Sequence, residues 1–272
     1  MGRPDVIRAD KRHQQHTGPA GLPPAASLLD NGAVSANPST DGARWALAEE
    51  VTSALRDRWP SEISAVGVYG SLAHGDDDHA DEVDLVVLTQ RPGTGPRPGT
   101  RRVRGTVVDI GVAAADDYLG SAQTLSMSWP LAADRYLTTR PLYDPHGWHP
   151  RLRNAHLARL AEAGPTEFAA LAREAWCQAE TAYEKALRLA EWHDTTGALL
   201  TFAAARLDTA LVEGLLTRTY FRDGLDAVRR TGLGDADLTE VGERLRGQAH
   251  ELARRGYPVD GTVADLLRDL AR

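Results

Sequence analysis

The run VYGSLAHGDDDHADEVDLVVLT, residues 68–89, holds the residue types and spacing from which chemistry can be read. An apolar, strand-like segment delivers Gly70 and Ser71 into a tight turn. Glycine there lets the backbone come close to a ligand, and the amides that follow can hold a phosphate. Ser71 adds a hydroxyl donor. Eleven positions after Ser71 comes Glu82, and Asp84 stands two further on. On a strand, a spacing of two puts both carboxylates on one face, while Val83, Leu85 and Val87 turn to the other. Later, Asp109 stands alone between Val108 and Ile110. If its strand lies beside the first acidic one, three carboxylates converge next to the Gly-Ser turn. Such a cluster repels itself unless cations occupy it. Oxygen-only donors select hard ions, and Mg²⁺ held by carboxylates plus substrate phosphates fits the set. Two such ions can clamp the attacking and leaving oxygens of an in-line phosphoryl displacement. The pattern therefore points to a nucleoside triphosphate held at a Gly-Ser turn, with metal at its phosphates.

The elements that must position these residues follow from periodicity. Asp41 can cap a helix carrying Trp45, Leu47, Val51, Leu55 and Trp59, with Pro60 as its stop. ISAVGVYGS (63–71), EVDLVVLT (82–89) and TVVDIGVA (106–113) read as strands, and LTTRPLYD (137–144) as a short fourth one at an edge or bend, because of Pro141. RPGTGPRPGT (91–100) reads as a connector. Beyond Pro150 the chain reads as helical. Segment 166–191 carries an apolar stripe from Phe168 to Leu187 that includes Trp176, Ala179 and Cys177, the last read as a small core residue. Segment 197–216 is apolar nearly all round and is expected at the centre of a bundle. Another helix runs from Asp237 to a stop at Gly256, and a last short one holds Val263, Leu266, Leu267 and Leu270. The expected organisation is a loosely attached tail (1–40), rich in proline and small residues, an α/β catalytic part (41–150) and a helical bundle (151–272). There is no internal repeat.

This ordered set of motifs resembles the nucleotidyltransferase superfamily related to DNA polymerase β. Within it, the chain is similar to the kanamycin nucleotidyltransferase family, the aminoglycoside 4'-O-nucleotidyltransferases. AVGVYGSL (65–72), SWPLAADRYLTTRPLYDPHGW (128–148) and RRGYPVD (254–260) carry the likeness, which spans about residues 42–260. It implies a mixed α+β architecture, with a mixed five-stranded sheet in the nucleotidyltransferase domain and an α-helical bundle behind it. It implies transfer of a nucleoside monophosphate from ATP or another triphosphate, with Mg²⁺, to a sugar hydroxyl of the drug, with release of pyrophosphate. Gly70 and Ser71 would hold the triphosphate, with His74 facing it. Glu82 and Asp84 would be the paired metal ligands, and Asp109 the third, catalytic acid. Glu180 on the first long bundle helix would be the general base, with Glu174 and Glu184 as neighbours in register. A homodimer with each site built from both subunits is implied as well.

Three positions depart from the family's pattern. Glu82 stands where aspartate is usual. His74 stands where an arginine usually faces the triphosphate, and neutral histidine is a poorer phosphate partner. Glu184, with Lys185 beside it, stands where a lysine is expected one turn after the base. The acidic loop Asp76-Asp77-Asp78-His79 reads as solvated, Arg101, Arg102 and Arg104 as edge-strand charges, and His146 and His149 are given no role.

Composition sets the outer limits. The chain has 272 residues, 42% of them hydrophobic, and a formal net charge of -7. An acidic surface disfavours nonspecific nucleic-acid binding and suits a cationic small-molecule acceptor. One cysteine excludes an internal disulfide framework and a cysteine-rich zinc site. No apolar run approaches the roughly 18 residues of a membrane span, and no secretory leader is recognisable, so a cytoplasmic location is expected. The same chemistry on a different acceptor (another antibiotic, a biosynthetic intermediate, a protein or an RNA end) stays open, as does a degenerate nucleotide-binding or antitoxin-like module.

Overall fold

β-branched and apolar residues alternate through three segments that pair into the middle of one sheet. The computed structural model describes residues 38–75 and 82–271. Its strands are β1 (Ile63–Tyr69), β2 (Glu82–Thr89), β3 (Gly99–Val103), β4 (Thr106–Ala114) and β5 (Arg140–Tyr143). The order across the sheet is β3-β4-β2-β1-β5. β2 and β4 run parallel, and every other pair is antiparallel, so the sheet is mixed.

The period of two sends alternate residues into two layers. Val66, Val68, Val83, Leu85, Val87 and Val108 pack against Leu47, Ala48 and Leu55 of α1 (Pro38–Arg58). Ala65, Val86 and Leu88 face the other way, toward α3 (Ala115–Ala122) and α5 (Trp148–Glu162). The short helix α2 (Gly70–His74) follows β1, and α4 (Trp129–Leu137) precedes β5.

The helical part is α6 (Pro165–Glu191), α7 (Thr195–Thr217), α8 (Gly224–Arg230), α9 (Leu238–Arg254) and α10 (Val263–Leu270). The short 192–194 connection makes α6 and α7 a helical hairpin. Phe168, Ala172, Ala175 and Ala179 of α6, Leu215 of α7, and Val241, Leu245 and Leu252 of α9 form its core. α4 joins this core to the sheet. Its Trp129 meets Phe168 edge-on with ring centroids 5.0 Å apart. The Phe221 amide donates to the Pro130 carbonyl at 2.7 Å. Trp129 Nε1 also donates to His156 Nε2 at 3.2 Å, while His156 Nδ1 donates to the Ala122 carbonyl at 2.7 Å. Nε2, accepting from Trp129, carries no proton, and Nδ1 holds it; burial pushes the His156 pKa down.

Several expectations need correction. α1 begins at Pro38, so Asp41 lies inside it rather than at its cap. Gly70 and Ser71 open a helix instead of forming a bare turn: Gly70 takes φ +71, and the chain coils directly afterwards. The connector reaches only to the start of β3, and the fourth strand read over 137–144 is confined to 140–143 as edge strand β5. Cys177 is exposed, because it lies two residues from Ala175 and Ala179 and so falls off the buried stripe. α7 is not buried all round: Leu199 and Leu200 are 64% and 71% exposed, and its buried positions begin at Ala205. The apolar residues of α10 are exposed too. The 1–37 part of the tail and the acidic loop 76–81 lie outside the described residues. Among the described residues no helix is long and apolar enough to cross a membrane.

Candidate active site

Strand register places the acids. Asp84 is paired with Asp109 across the parallel β2–β4 ladder and with Tyr69 across the antiparallel β1–β2 ladder. Thr100 on β3 pairs with Asp109 from the far side. Directly opposed residues share a face. Tyr69, Asp84, Asp109 and Thr100 therefore form one row across four strands, on the face toward α3 and α5. Glu82 stands two residues before Asp84 on the same face. The Thr100 hydroxyl donates to Asp109 Oδ1, which fixes that carboxylate.

Gly70 closes the end of this row. A Cβ built on it would collide with Asp84 Oδ2, and its φ is +71. Both facts require glycine: the Asp84 carboxylate lies where a side chain would go. Ser71 follows at the start of α2, and its hydroxyl has no partner among the described residues. His74, at the end of α2, donates from Nε2 to Asp134 Oδ1 and Oδ2 at 2.9 and 3.1 Å. Asp134 is only 3% exposed, so this contact anchors α2 to α4. His74 is thus engaged with Asp134 through Nε2.

The electrostatics follow from the crowding. The Asp84 carboxyl is pushed up to about 6 by burial first, then by Glu82 and by Asp109. The Tyr69 phenol is pushed up by burial, then by Asp84 and Asp109, and is pulled back by Arg135 on α4. Its hydroxyl thus stands in the fields of both acids and of that arginine.

Glu82, Asp84, Asp109 and Gly70 are brought together, while Glu180 lies on α6, which packs with α7 and α9 in the helical core. Glu180 lies half-buried on α6. Burial raises its carboxyl first, Glu184 and Asp260 raise it further, and Arg246 lowers it. Those charges belong to α6, α9 and the segment after α9. Glu174 and Glu184 are exposed, and Glu184 pairs with Arg188 at 3.6 Å. Arg104 pairs with Glu50 at 2.8 Å beside the edge strand. His149 is buried and held to Asp144 at 3.2 Å, a packing role. Two concavities lie elsewhere: one of about 630 Å³ between α7 and α9, and one of about 580 Å³ lined by α3, α4 and α5.

The donor set suits a hard cation, since it is all oxygen and its central carboxylate is strained by like charge. Among the described residues, no three or more His, Cys, Asp or Glu side chains close into a metal cage unaided. Mg²⁺ bound through one or two carboxylates and substrate phosphates needs no such cage.

No family model matches the chain, and no curated protein matches it. Among solved structures, the chain is similar to a nucleotidyltransferase-like protein from Exiguobacterium sibiricum 255-15. The identity is 14%, the match covers 76% of this chain and 75% of that one, and the TM-score is 0.40.

Tyr69, Thr100, Asp134 and Arg135 were not legible as site residues. Tyr69 is flanked by an apolar run and reads as core. Its placement opposite Asp84 depends on the register of the β1–β2 pair. Thr100 belongs to a strand hidden in the Pro/Gly connector.

Proposed function

We propose that the chain is a Mg²⁺-dependent nucleotidyltransferase. It transfers a nucleoside monophosphate from ATP or another triphosphate to a hydroxyl of a small cationic molecule, best matched by an aminoglycoside, and releases pyrophosphate. The observation that carries this reading is the registered row of Asp84 and Asp109, with Glu82 beside it, closed by Gly70 and by the Ser71 hydroxyl, which has no partner among the described residues. A purely structural sheet has no use for carboxylates crowded until one is held near pKa 6.

In this reading Glu82, Asp84 and Asp109 hold the metal, which when bound supplies charge neutralisation at the phosphate oxygens. The Ser71 hydroxyl and the backbone after Gly70 hold the triphosphate. Thr100 keeps Asp109 oriented. Glu180 accepts the proton of the attacking hydroxyl. The hydroxyl oxygen forms a bond to the α-phosphorus as the bond from that phosphorus to the bridging oxygen breaks, and pyrophosphate leaves with that electron pair. Glu180 reaches a carboxylate row from the partner in a homodimer, as the family resemblance implies. The net charge of -7 favours a cationic acceptor.

The test is incubation of the full chain with Mg²⁺, each α-labelled nucleoside triphosphate in turn, and a panel of aminoglycosides. Label on a drug together with pyrophosphate is the expected result. No label on any aminoglycoside, with label on another hydroxyl compound, overturns the acceptor alone. No transfer from any triphosphate to any acceptor overturns the reaction.

A further inference from the structure

A site for a triphosphate needs cations on the phosphate tail as well as acids for metal. The short helix that follows the Gly-Ser step has one basic residue, His74, and the buried Asp134 engages it through two contacts. The next residue on α4 is Arg135. It is exposed, and its guanidinium makes no hydrogen bond or ion pair among the described residues.

Its location is set by its neighbours. The His74–Asp134 contact ties this turn of α4 to α2, four residues from Gly70. Tyr136, next along α4, packs tilted with ring centroids 5.2 Å from Tyr118 and 5.1 Å from His156, on the sheet face that carries the acids. Three residues past the end of α4, Arg140 opens β5 opposite Val68 of β1, one residue before Tyr69. The last turn of α4, which holds Arg135, therefore lies at the β1 end of the row, and Arg135 makes no ion pair with the carboxylates among the described residues. Acids lie along the row toward β4, and the turn of α4 that carries the Arg135 guanidinium, unpaired among the described residues, lies at the other end, where Tyr69 leads into the Gly-Ser step. A polyphosphate bound through metal at one end and through a cation at the other matches that layout.

We propose that Arg135 is the phosphate-binding cation of this site, taking the β- and γ-phosphates of the nucleotide in the place that His74 leaves unfilled. This rests on the nucleotidyl-transfer reading and adds to it a residue from a different element. Arginine is suited to the task because its planar fork can bind two phosphate oxygens at once. The His74–Asp134 contact then has a purpose: it fixes the turn of α4 from which Arg135 projects.

The experiment is calorimetric titration of the full chain with inorganic tripolyphosphate in Mg²⁺, so that base and acceptor identity do not enter. Wild type is expected to bind. Arg135→Ala should bind about 10- to 100-fold more weakly, the value of one lost charge-assisted contact. Arg135→Lys should recover part of the loss, and Arg101→Ala on the outer strand should lose nothing. Thermal unfolding should be unchanged in all three, since both arginines are exposed. Binding by Arg135→Ala within twofold of wild type overturns the proposal and leaves the nucleotidyl-transfer reading standing. A wild-type chain that binds neither Mg-tripolyphosphate nor any nucleoside triphosphate overturns both.

Discussion

Asp84 is the residue on which the site's chemistry and its stability meet. Its folded pKa of about 6 lies above the ordinary 3.8. A raised carboxyl contributes stability that is fully present below pH 3.8 and is lost as pH rises through 6. In EDTA, wild type should therefore lose stability relative to Asp84→Asn across that window, by on the order of 1–3 kcal/mol after discounting partial exposure. Melting curves of the two proteins against pH check this, and parallel curves would refute the crowding. At neutral pH with Mg²⁺, the same variant should fold at least as well as wild type and show no measurable transfer. Activity within a few-fold of wild type removes Asp84 from the metal site. Glu180 is subject to the opposite requirement, since a base must be ionised. Its carboxyl is raised above the usual 4.5, so the acid limb of kcat should lie above that value. Glu180→Gln should lower kcat by about 10²- to 10⁴-fold with nucleotide binding nearly unchanged. Glu174→Gln and Glu184→Gln, both on exposed positions, should not. If either of those loses the activity instead, the base lies about one turn away on α6.

At the scale of elements, α4 is the joint. It packs on α7 and α6 through Pro130 and Trp129, and it reaches the site through Asp134. Gly214 of α7 is where the joint is tightest: an added Cβ would lie 2.7 Å from Phe221 Cε2 and 2.9 Å from Pro130 Cβ. Gly214→Ala should cost about 1–3 kcal/mol by overpacking. Because α4 carries Asp134, transfer should also fall in the folded variant. A melting temperature equal to that of wild type would show that the joint yields. None of this was legible in the sequence. β1, β2 and β4 were readable because they are the inner strands and rich in apolar, β-branched residues, β1 being buried on both faces. β3 was not, since GTRRV lies exposed at the sheet edge and shows no alternation. The short helices α3 and α4 were missed for want of length, and Pro130 in the first turn of α4 reads as a breaker although it is tolerated there. The carboxylates were found because spacing along a strand fixes their face. Their neighbours Tyr69 and Thr100, and Arg135 of α4, were not, because cross-strand register and helix docking are long-range properties.

For the whole molecule, Glu180 on the helical part and the carboxylate row on the sheet are the two groups that the proposed mechanism must bring together. The charges around Glu180 come from α6, α9 and the segment after it, and those around Asp84 come from the sheet. If one chain supplied both, the base would have to travel to the nucleotide. If two chains share each site, as in the homodimer proposed above, Glu180 of one protomer serves the carboxylates of its partner. The two arrangements differ in what happens when two inactive proteins are mixed. Asp84→Asn retains the base, and Glu180→Gln retains the acids. In a shared-site dimer, random exchange of equal amounts puts half of the protomers' pairings into mixed dimers. Each mixed dimer holds one site with both defects and one site with neither. Activity should then return to about a quarter of the wild-type value, reached at the rate of subunit exchange. The species should sediment at twice the 29.4 kDa chain mass. If base and acids of a site come from the same protomer, every site in the mixture keeps one defect and no activity returns. A fully active 29.4 kDa monomer would refute the shared site outright and would require α6 to close over the sheet within a single chain.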